Sequence, residues 1–319
     1  MKLFSSVHDV NGLHDLVGEA LSLKQQPFAH KHLGENRTLG LVFLNPSLRT
    51  RLSTQKAAMN LGMNVIVMNM DKDGWALETR DGVIMNGTTV EHIREAAAVM
   101  GEYCDILGIR SFPKLQEREE DYSEDLFNKF VRFCQVPVIS LESATRHPLQ
   151  SLTDLITIQE YKSTQKPKVV LTWAPHVKAL PQAVPNSFSE WMCQAQQEGL
   201  VDFVIAHPEG YELAESFTPG ATITHNQYSA LADADFVYVK NWSSYQDYGK
   251  ILTDDASWML TPETLKITNN AKVMHCLPVR RDLELSAEIL DSPDSIVIKE
   301  AGNRVWAAQV ILKKILENL

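Results

Sequence analysis

Short apolar runs alternate with segments of helical periodicity along the whole chain. Each run in the first half is almost continuously apolar, which is typical of a strand that is covered on both faces of its sheet. Between the runs, apolar residues recur at helical spacing and predict amphipathic helices. The predicted strands are 39–44, 64–70, 105–110 and 136–141, and the predicted helices are 8–25, 48–61, 91–103 and 124–134. This alternation predicts an α/β fold with a parallel, doubly wound sheet.

The second half repeats the alternation after a helix at 148–161, in which Pro148 takes the first helical position. Its predicted strands are 168–173, 202–206, 236–240, 273–276 and 295–298, and its predicted helices include 186–197 and a closing helix at 303–319. We therefore expect two doubly wound domains. They are 1–147, with helix 303–319 packed back on it, and 148–302. Open parallel sheets bind ligands beyond the carboxyl ends of their strands, so the pattern predicts an active-site cleft between the domains.

The turn from the first predicted strand into the next helix has the residues of an anion site. Asn45 and Pro46 end the strand, and Ser47 is a suitable N-cap. The unpaired N–H groups of a first helical turn and the positive end of the helix dipole attract anions. Arg49 and Arg51 occupy this turn, where a cation is slightly unfavourable unless an anion offsets the cost. The alternative is that both arginines are solvated charges on a surface helix.

Composition restricts the class of partner. The formal net charge is -10 over 319 residues, whereas binding to nucleic acid or to an anionic membrane requires a basic surface. We find neither a signal-peptide pattern nor the run of about 18 apolar residues that a membrane span needs, and we expect a cytoplasmic protein. The four cysteines lack Cys-x-x-Cys spacing, which argues against a disulfide framework or a zinc site.

Cationic and hydrogen-bonding residues follow the predicted strands at their carboxyl ends. They are Ser47 to Arg51, Arg110, Glu142, His147, Gln150, His176, Lys240, Cys276, Arg280 and Arg304. Each residue also has an interpretation without a functional role. Arg110 would then be a surface charge, His147 a helix cap and Cys276 an inert buried thiol. However, an acidic chain that concentrates its cations at one sheet edge favours a site for small anions.

Three motifs resemble those of the aspartate and ornithine carbamoyltransferases, and they occur in the family's order. The run 47–51, Ser-Leu-Arg-Thr-Arg, resembles the carbamoyl phosphate signature Ser-x-Arg-Thr-Arg. The run 147–150 resembles His-Pro-x-Gln, and 275–278 resembles the His-Cys-Leu-Pro of ornithine-type members. Segments 172–176 and 240–242 resemble the branch that carbamoylates acylated ornithine.

The resemblance implies a role for each matched residue. Carbamoyl phosphate would be bound by Ser47, Leu48, Arg49, Thr50, Trp75, Arg110, His147, Gln150, Cys276, Leu277 and Arg304. The acylornithine would contact Val90, Glu142, His176, Lys240, Cys276 and Arg280. Arg49, Arg110, His147 and Cys276 would act in catalysis, and either Cys276 or the departing phosphate would take the proton of the attacking amine. The resemblance also implies a homotrimer in which Trp75 reaches a neighbouring subunit's site, and it requires no metal or organic cofactor.

The residue before Glu91-His92 differs between branch members that use acceptors with different acyl groups. Branch members that use N-acetylornithine carry glutamate there and those that use N-succinylornithine carry proline, whereas this chain has Val90. A glutamate would repel the succinyl carboxylate and fill its space, and valine has no charge. The expected reaction is therefore carbamoyl transfer to N-succinyl-L-ornithine in arginine biosynthesis, giving N-succinyl-L-citrulline and phosphate.

N-acetyl-L-ornithine is the alternative acceptor. A non-catalytic carbamoyl phosphate-binding relative is a second alternative, but it would be expected to lack groups such as Glu142, Lys240, Cys276 and Arg280 that this chain keeps. A nucleotide-binding enzyme is disfavoured, because no Gly-x-Gly-x-x-Gly motif follows a predicted strand.

Overall fold

The computed structural model describes residues 1–70 and 72–319; Asp71, which the sequence places in the loop before Trp75, lies outside the described residues. The strands are β1 Leu3–Phe4, β2 Thr38–Phe43, β3 Asn64–Asn69, β4 Leu77–Glu78, β5 Glu91–His92, β6 Ile106–Arg110, β7 Val138–Glu142, β8 Lys168–Trp173, β9 Asp202–Ala206, β10 Thr222–Thr224, β11 Phe236–Lys240 and β12 Lys272–Met274. The helices are α1 Leu13–Gln25, α2 Arg49–Asn60, α3 Ile93–Tyr103, α4 Arg118–Tyr122, α5 Asp125–Cys134, α6 Pro148–Tyr161, α7 Ala183–Gln197, α8 Gln227–Leu231, α9 Pro262–Leu265, α10 Ala287–Leu290 and α11 Val297–Leu316. Among these residues, no helix combines the length and the apolarity that a membrane crossing requires.

Two five-stranded parallel sheets form the framework. The first has the order β1-β7-β6-β2-β3 and the second the order β10-β9-β8-β11-β12. Every residue of β6, β7 and β11 is buried, as the continuous apolar runs predicted. The predicted α/β fold with two doubly wound parallel-sheet domains is confirmed.

Each sheet has a switch point at a central pair of strands, from which the chain continues toward opposite edges of the sheet. In the first sheet the pair is β2 and β6, which bond in register from Leu39 opposite Ile106 to Phe43 opposite Arg110. In the second sheet the pair is β8 and β11, which ends with Lys240 opposite Trp173. Ligands of doubly wound sheets bind at such switch points, beyond the carboxyl ends of the strands. The fold therefore puts the residues after these four strands where a ligand would bind.

Helix α6 is enclosed by the rest of the protein. It has the predicted bounds, and all its residues from Pro148 to Ile158 are buried. It packs against α1, α7 and α11, within one continuous apolar core that includes residues of both sheets. The division into 1–147 and 148–302 stays a prediction.

The C-terminal helix begins earlier than predicted. The predicted strand 295–298 is wrong, because Val297 already belongs to α11 and only Ser295 forms a bridge, to Val273. Ile298 is 72% exposed, whereas a strand in a covered sheet would bury it. The rest of the helix packs on α1, α2 and α6. Asn60, for example, donates to Gln309 at 2.8 Å.

The charged run at 117–121 is partly buried. It forms most of α4, and Asp121 within it is buried. The Asp121 carboxylate accepts hydrogen bonds at 2.9 Å from the backbone N–H groups of Lys114 and Leu115 and from the hydroxyl of Tyr248. These hydrogen bonds therefore link the segment at 114–115, in the first half of the chain, to Tyr248 in the second half.

Candidate active site

A cavity of about 460 Å³ lies where the carboxyl ends of the two sheets face each other. The residues that line it are Ser47, Arg49, Thr50, Arg110, Phe112, Glu142, His147, Gln150, His176, Leu180, Pro181, Val184, Lys240, Cys276, Leu277, Pro278, Arg280 and Arg304. Of the residues to which the family resemblance gives a role, all except Leu48, Trp75 and Val90 line it. Five cationic side chains and one carboxylate surround the space, which suits anionic ligands.

The start of α2 forms one end of the cavity. Leu48 occupies the N-cap position and no side chain caps the helix, so the prediction that Ser47 is the N-cap is wrong. The unpaired N–H groups of the first turn are therefore left for another acceptor, as an anion site requires. Arg49 faces the cavity, whereas Arg51 turns aside and donates to Asn69 at 3.1 Å. Burial is the main cause that lowers the pKa of Arg49, since its charge is partly removed from water.

Arg110, Glu142 and His147 form a cluster at the ends of β6 and β7. The Arg110 guanidinium donates to Glu142 Oε2 and lies 4.4 Å from the ring centroid of Phe112. His147 Nε2 is 3.4 Å from the same carboxylate oxygen. Burial, supported by the positive charges of Arg304 and Arg110, lowers the pKa of His147 well below its usual value. The imidazole is therefore neutral at physiological pH and can donate one hydrogen bond to a ligand.

A buried polar network connects this cluster to the loop after β12. Gln150 accepts a hydrogen bond from Arg304 and donates to Asp154 at 2.7 Å and to Glu300 at 3.1 Å. Glu300 in turn accepts the backbone N–H of His275 at 2.9 Å. Burial raises the pKa of Asp154 to about 7 and that of Glu300 well above its usual value, so the two carboxyls hold a proton at neutral pH.

Arg304 joins three helices at the same place. It extends from α11, and its Nη2 donates to Thr50 Oγ1 of α2 at 2.6 Å while Nη1 donates to Gln150 of α6. The side chain is almost fully buried. The start of α2 is thereby fixed relative to α6.

The loop after β12 carries Cys276 into the cavity. Burial raises the pKa of Cys276 to about 11, although the charge of Lys240 opposes the rise. Cys276 is therefore a thiol, and not a thiolate, at physiological pH. The next residue, Leu277, is in the left-handed region with φ 56°, and its N–H donates to His275 Nδ1 at 2.8 Å. A strained conformation of this kind costs about 1–3 kcal/mol and persists only where its surroundings enforce it.

The opposite end of the cavity is cationic. Arg280 Nε donates to His176 Nε2 at 3.1 Å. Lys240 is buried and donates to the carbonyl of Asn241 at 3.1 Å. Within the described part of the chain, neither Lys240 nor the Arg280 guanidinium pairs with a carboxylate. Both remain available to the carboxylates of a ligand.

Two proposed residues lie outside the cavity of their own chain. Trp75 is 53% exposed and its Nε1 donates to Glu91 Oε2 at 2.9 Å. Val90 is 67% exposed and precedes the same glutamate. The strands β4 and β5 pair beside them. Leu48, the third residue outside, is exposed and contributes its backbone to the start of α2.

Sequence reasoning missed the apolar wall and the support of the cavity. The wall consists of Phe112, Leu180, Pro181, Val184 and Pro278. They carry no chemistry of their own and only Pro278 belongs to a motif, although Phe112 comes just after β6. Asp154 was missed as well. The only sequence signal for Asp154 is its spacing of four residues from Gln150 on a predicted helix.

Comparison with known proteins places the chain in a family. Residues 2–160 match the carbamoyl-P binding domain of the aspartate/ornithine carbamoyltransferases, and residues 186–315 match their Asp/Orn binding domain. The chain belongs to the aspartate/ornithine carbamoyltransferase family. It is 52% identical to the N-succinylornithine carbamoyltransferase of Bacteroides fragilis over the full length of both chains. It is 34% identical to the N-acetylornithine carbamoyltransferase of Xanthomonas campestris, with 92% of each chain covered.

Solved structures of this family have the same fold. Acetylornithine transcarbamylase complexed with acetylcitrulline superimposes with a TM-score of 0.90 at 32% identity, and the match covers 99% of each chain. A glutamate-to-valine variant of N-acetyl-L-ornithine transcarbamylase, complexed with carbamyl phosphate and N-succinyl-L-norvaline, also gives 0.90 at 32% identity. That match covers 99% of this chain and 100% of the other. The predicted assignment to the carbamoyltransferases, and thus to the transferases, is confirmed.

Proposed function

We propose that this enzyme transfers the carbamoyl group of carbamoyl phosphate to the δ-amine of N-succinyl-L-ornithine, giving N-succinyl-L-citrulline and phosphate. The observation that carries the proposal is the single cavity in which the carbamoyl phosphate motif, the His-Pro-x-Gln motif and the His-Cys-Leu-Pro motif meet. The 52% identity to N-succinylornithine carbamoyltransferase over the whole chain supports it.

The phosphate would bind at the start of α2. There it would accept hydrogen bonds from the first-turn N–H groups and from the side chains of Ser47, Thr50 and Arg49. Arg49 is half-buried and pairs with no carboxylate within the described residues, which supports this role because a dianion beside it would offset the cost of its burial. Arg304 already donates to Thr50 and is oriented before the ligand arrives.

The carbamoyl group would lie between Arg110 and His147. The neutral δ-amine attacks the carbamoyl carbon, a C–N bond forms, and the carbonyl oxygen becomes negative. Donors aimed at that oxygen stabilise it more strongly than they stabilise the planar ground state. Arg110 and neutral His147 supply such donors. The C–O bond to phosphate then breaks, and Arg49 with the helix start stabilises the leaving dianion.

The amine must also lose a proton during the reaction. We infer that the departing phosphate accepts it, because Cys276 is a thiol whose pKa burial raises to about 11. A thiol already holds its proton and cannot act as a general base. When its bond to the carbamoyl carbon breaks, the phosphate leaves fully deprotonated, so it takes up the amine proton and becomes the hydrogen-phosphate dianion. Cys276 would then contact and position the substrate.

The acyl-ornithine would lie across the cationic end of the cavity. Its α-carboxylate and the succinyl carboxylate would be matched by Lys240 and Arg280, neither of which has a carboxylate partner within the described residues. Val90 offers no negative charge to repel the succinyl group. The complex of a glutamate-to-valine variant of N-acetyl-L-ornithine transcarbamylase with N-succinyl-L-norvaline is in accord with this reasoning.

Val90 and Trp75 would act across a subunit interface. Both are exposed and outside their own cavity, so a neighbouring chain of the expected homotrimer would receive them. Exposed apolar side chains such as Leu52 and Ile84 would be covered by that contact. The trimer and the cytoplasmic location are inferences from the family resemblance and the sequence.

Steady-state kinetics with carbamoyl phosphate and three acceptors tests the proposal. We expect kcat/KM for N-succinylornithine to exceed that for N-acetylornithine and for ornithine by at least about tenfold, since a paired carboxylate contributes about 1–3 kcal/mol. N-acetylornithine is the second candidate, favoured by the 34% identity to enzymes of that name. A preference for it would contradict the succinyl proposal and leave the transferase assignment intact.

A further inference from the structure

Two histidines and a glutamate lie together outside the active-site cavity. His207 directly follows β9, His225 directly follows β10, and Glu212 lies in the connection between them. Ala206 pairs with Thr224 in the parallel sheet, so both histidines lie at the same edge, with ring centroids 5.1 Å apart. One potential ligand atom from each of the three residues lies within 4.8 Å of the other two. We call these three residues the His207 cluster.

Backbone hydrogen bonds leave the Nε2 atoms of both histidines available. His207 Nδ1 is 2.8 Å from the carbonyl oxygen of Pro208, and His225 Nδ1 is 3.0 Å from that of His207. A carbonyl oxygen only accepts, so each Nδ1 carries a proton and donates it. In a neutral imidazole, Nε2 then presents its lone pair. Metal-binding histidines are typically held in this way, with the second ring nitrogen donating to a carbonyl or carboxylate.

His207 Nε2 has an unmet hydrogen-bonding capacity. The residue is 1% exposed, and its Nε2 has no hydrogen-bond partner in the described part of the chain. Leaving a buried polar atom unpaired is unfavourable, and a bond to a metal would remove the penalty. Burial also lowers the pKa of His207, which keeps the imidazole in the neutral form that binds metals.

The distance between the ligand atoms of the other two residues is near that of a zinc site. His225 Nε2 and Glu212 Oε1 are 3.9 Å apart, and both side chains are a little under half exposed. Ligands about 2.1 Å from a tetrahedral ion are roughly 3.4 Å from each other. Small rotations of these two side chains would therefore complete the set. Two imidazoles and one carboxylate, with water in the open position, suit Zn²⁺.

We propose that the His207 cluster binds one Zn²⁺ ion and thereby fixes the β9–β10 edge of the second sheet. The ring of His207 lies 6.2 Å from that of Trp242, and Trp242 Nε1 donates to the carbonyl of Tyr211 at 2.8 Å. The ion would thus restrain the segment that follows Lys240. The proposed ion site lies outside the active-site cavity, so the ion takes no part in carbamoyl transfer.

Titration of the chelator-stripped full-length enzyme with Zn²⁺ in phosphate-free buffer tests the proposal. We expect one equivalent of Zn²⁺ per chain by calorimetry and a higher midpoint of thermal unfolding with the metal. His225→Gln and Glu212→Gln should each weaken Zn²⁺ binding by more than about tenfold, since even the loss of a group that only supports a ligand costs about that much. Both side chains are partly exposed, so the variants should fold.

His14→Gln is the matched control, because the His14 side chain is 80% exposed and away from the cluster. It should bind Zn²⁺ as the parent does. Three results would overturn the proposal: no binding by the parent, unchanged affinity in both cluster variants, or loss of the binding in Cys276→Ser, which would place the ion at the active-site thiol.

Discussion

Replacement of Cys276 by serine tests the inference about the proton. Burial raises the pKa of the Cys276 thiol to about 11, so at pH 8 roughly one molecule in a thousand carries the thiolate, at a cost of about 4 kcal/mol. A reaction that required the thiolate as base would speed up about tenfold for each pH unit up to about pH 11. A reaction in which phosphate takes the proton would not need the thiolate, so its only rise with pH would come from deprotonation of the substrate δ-amine and would also be present in Cys276→Ser.

The serine variant separates the two routes further. A serine hydroxyl keeps a donor in the same place, but it ionises far less readily than a thiol. We expect kcat of Cys276→Ser to stay within about tenfold of the parent value, with the larger change in KM for the acylornithine. The assay is citrulline-type product formation between pH 7 and 10 at saturating substrate. Cys193→Ser, a change at a buried thiol of α7, is the control and should leave kcat unchanged.

The reasoning would be refuted by two results together. These are a loss of kcat by about a thousandfold in Cys276→Ser, and a unit-slope rise of kcat with pH up to pH 10 in the parent that is absent from Cys276→Ser.

Three further predictions concern specificity, stability and assembly. Val90→Glu should shift the ratio of kcat/KM toward N-acetylornithine by at least about tenfold, measured with both acceptors; an unchanged ratio would contradict the role of this position. Because burial raises the pKa of Asp154 to about 7, the stability that its proton provides is complete below its ordinary pKa near 4 and is lost as pH rises through about 7. Relative to Asp154→Asn, which cannot ionise, the parent should therefore lose up to about 1.4 kcal/mol of unfolding free energy per pH unit between about pH 4 and pH 7, and no more above pH 7, in urea titrations; parallel curves over this range would contradict this. The variants Trp75→Ala and Arg49→Ala should each be nearly inactive on their own. Oligomers that contain both variant subunits should recover activity if Trp75 of one subunit serves the cavity of its neighbour. No recovery after verified subunit exchange would refute the shared site.

Most of the fold was predictable because the central strands of the two sheets are buried on both faces. Such strands are continuous apolar runs, and the bounds of β8 and β11 agree with the prediction for that reason. The predicted strand 295–298 failed because a short apolar run also fits the first turn of a helix. The short edge strands β1 and β10 have two and three residues, which is too little for a pattern.

The cavity was predictable where chemistry coincides with strand ends. Arg110, His147, Lys240 and Cys276 follow strands and belong to the lining. The sequence could not show that Glu142 is held by Arg110, because that contact depends on the packing of β6 beside β7. Nor could it show the protonation states of the site, since these depend on burial within the folded protein.

One competition experiment tests the central claim most directly. The enzyme is incubated with isotopically labelled carbamoyl phosphate and an equimolar mixture of ornithine, N-acetylornithine and N-succinylornithine, and the products are separated by mass spectrometry. Our account predicts that the label enters N-succinylcitrulline in large excess over the other two citrullines. Predominant labelling of N-acetylcitrulline or of citrulline, or no transfer of label at all, would contradict it.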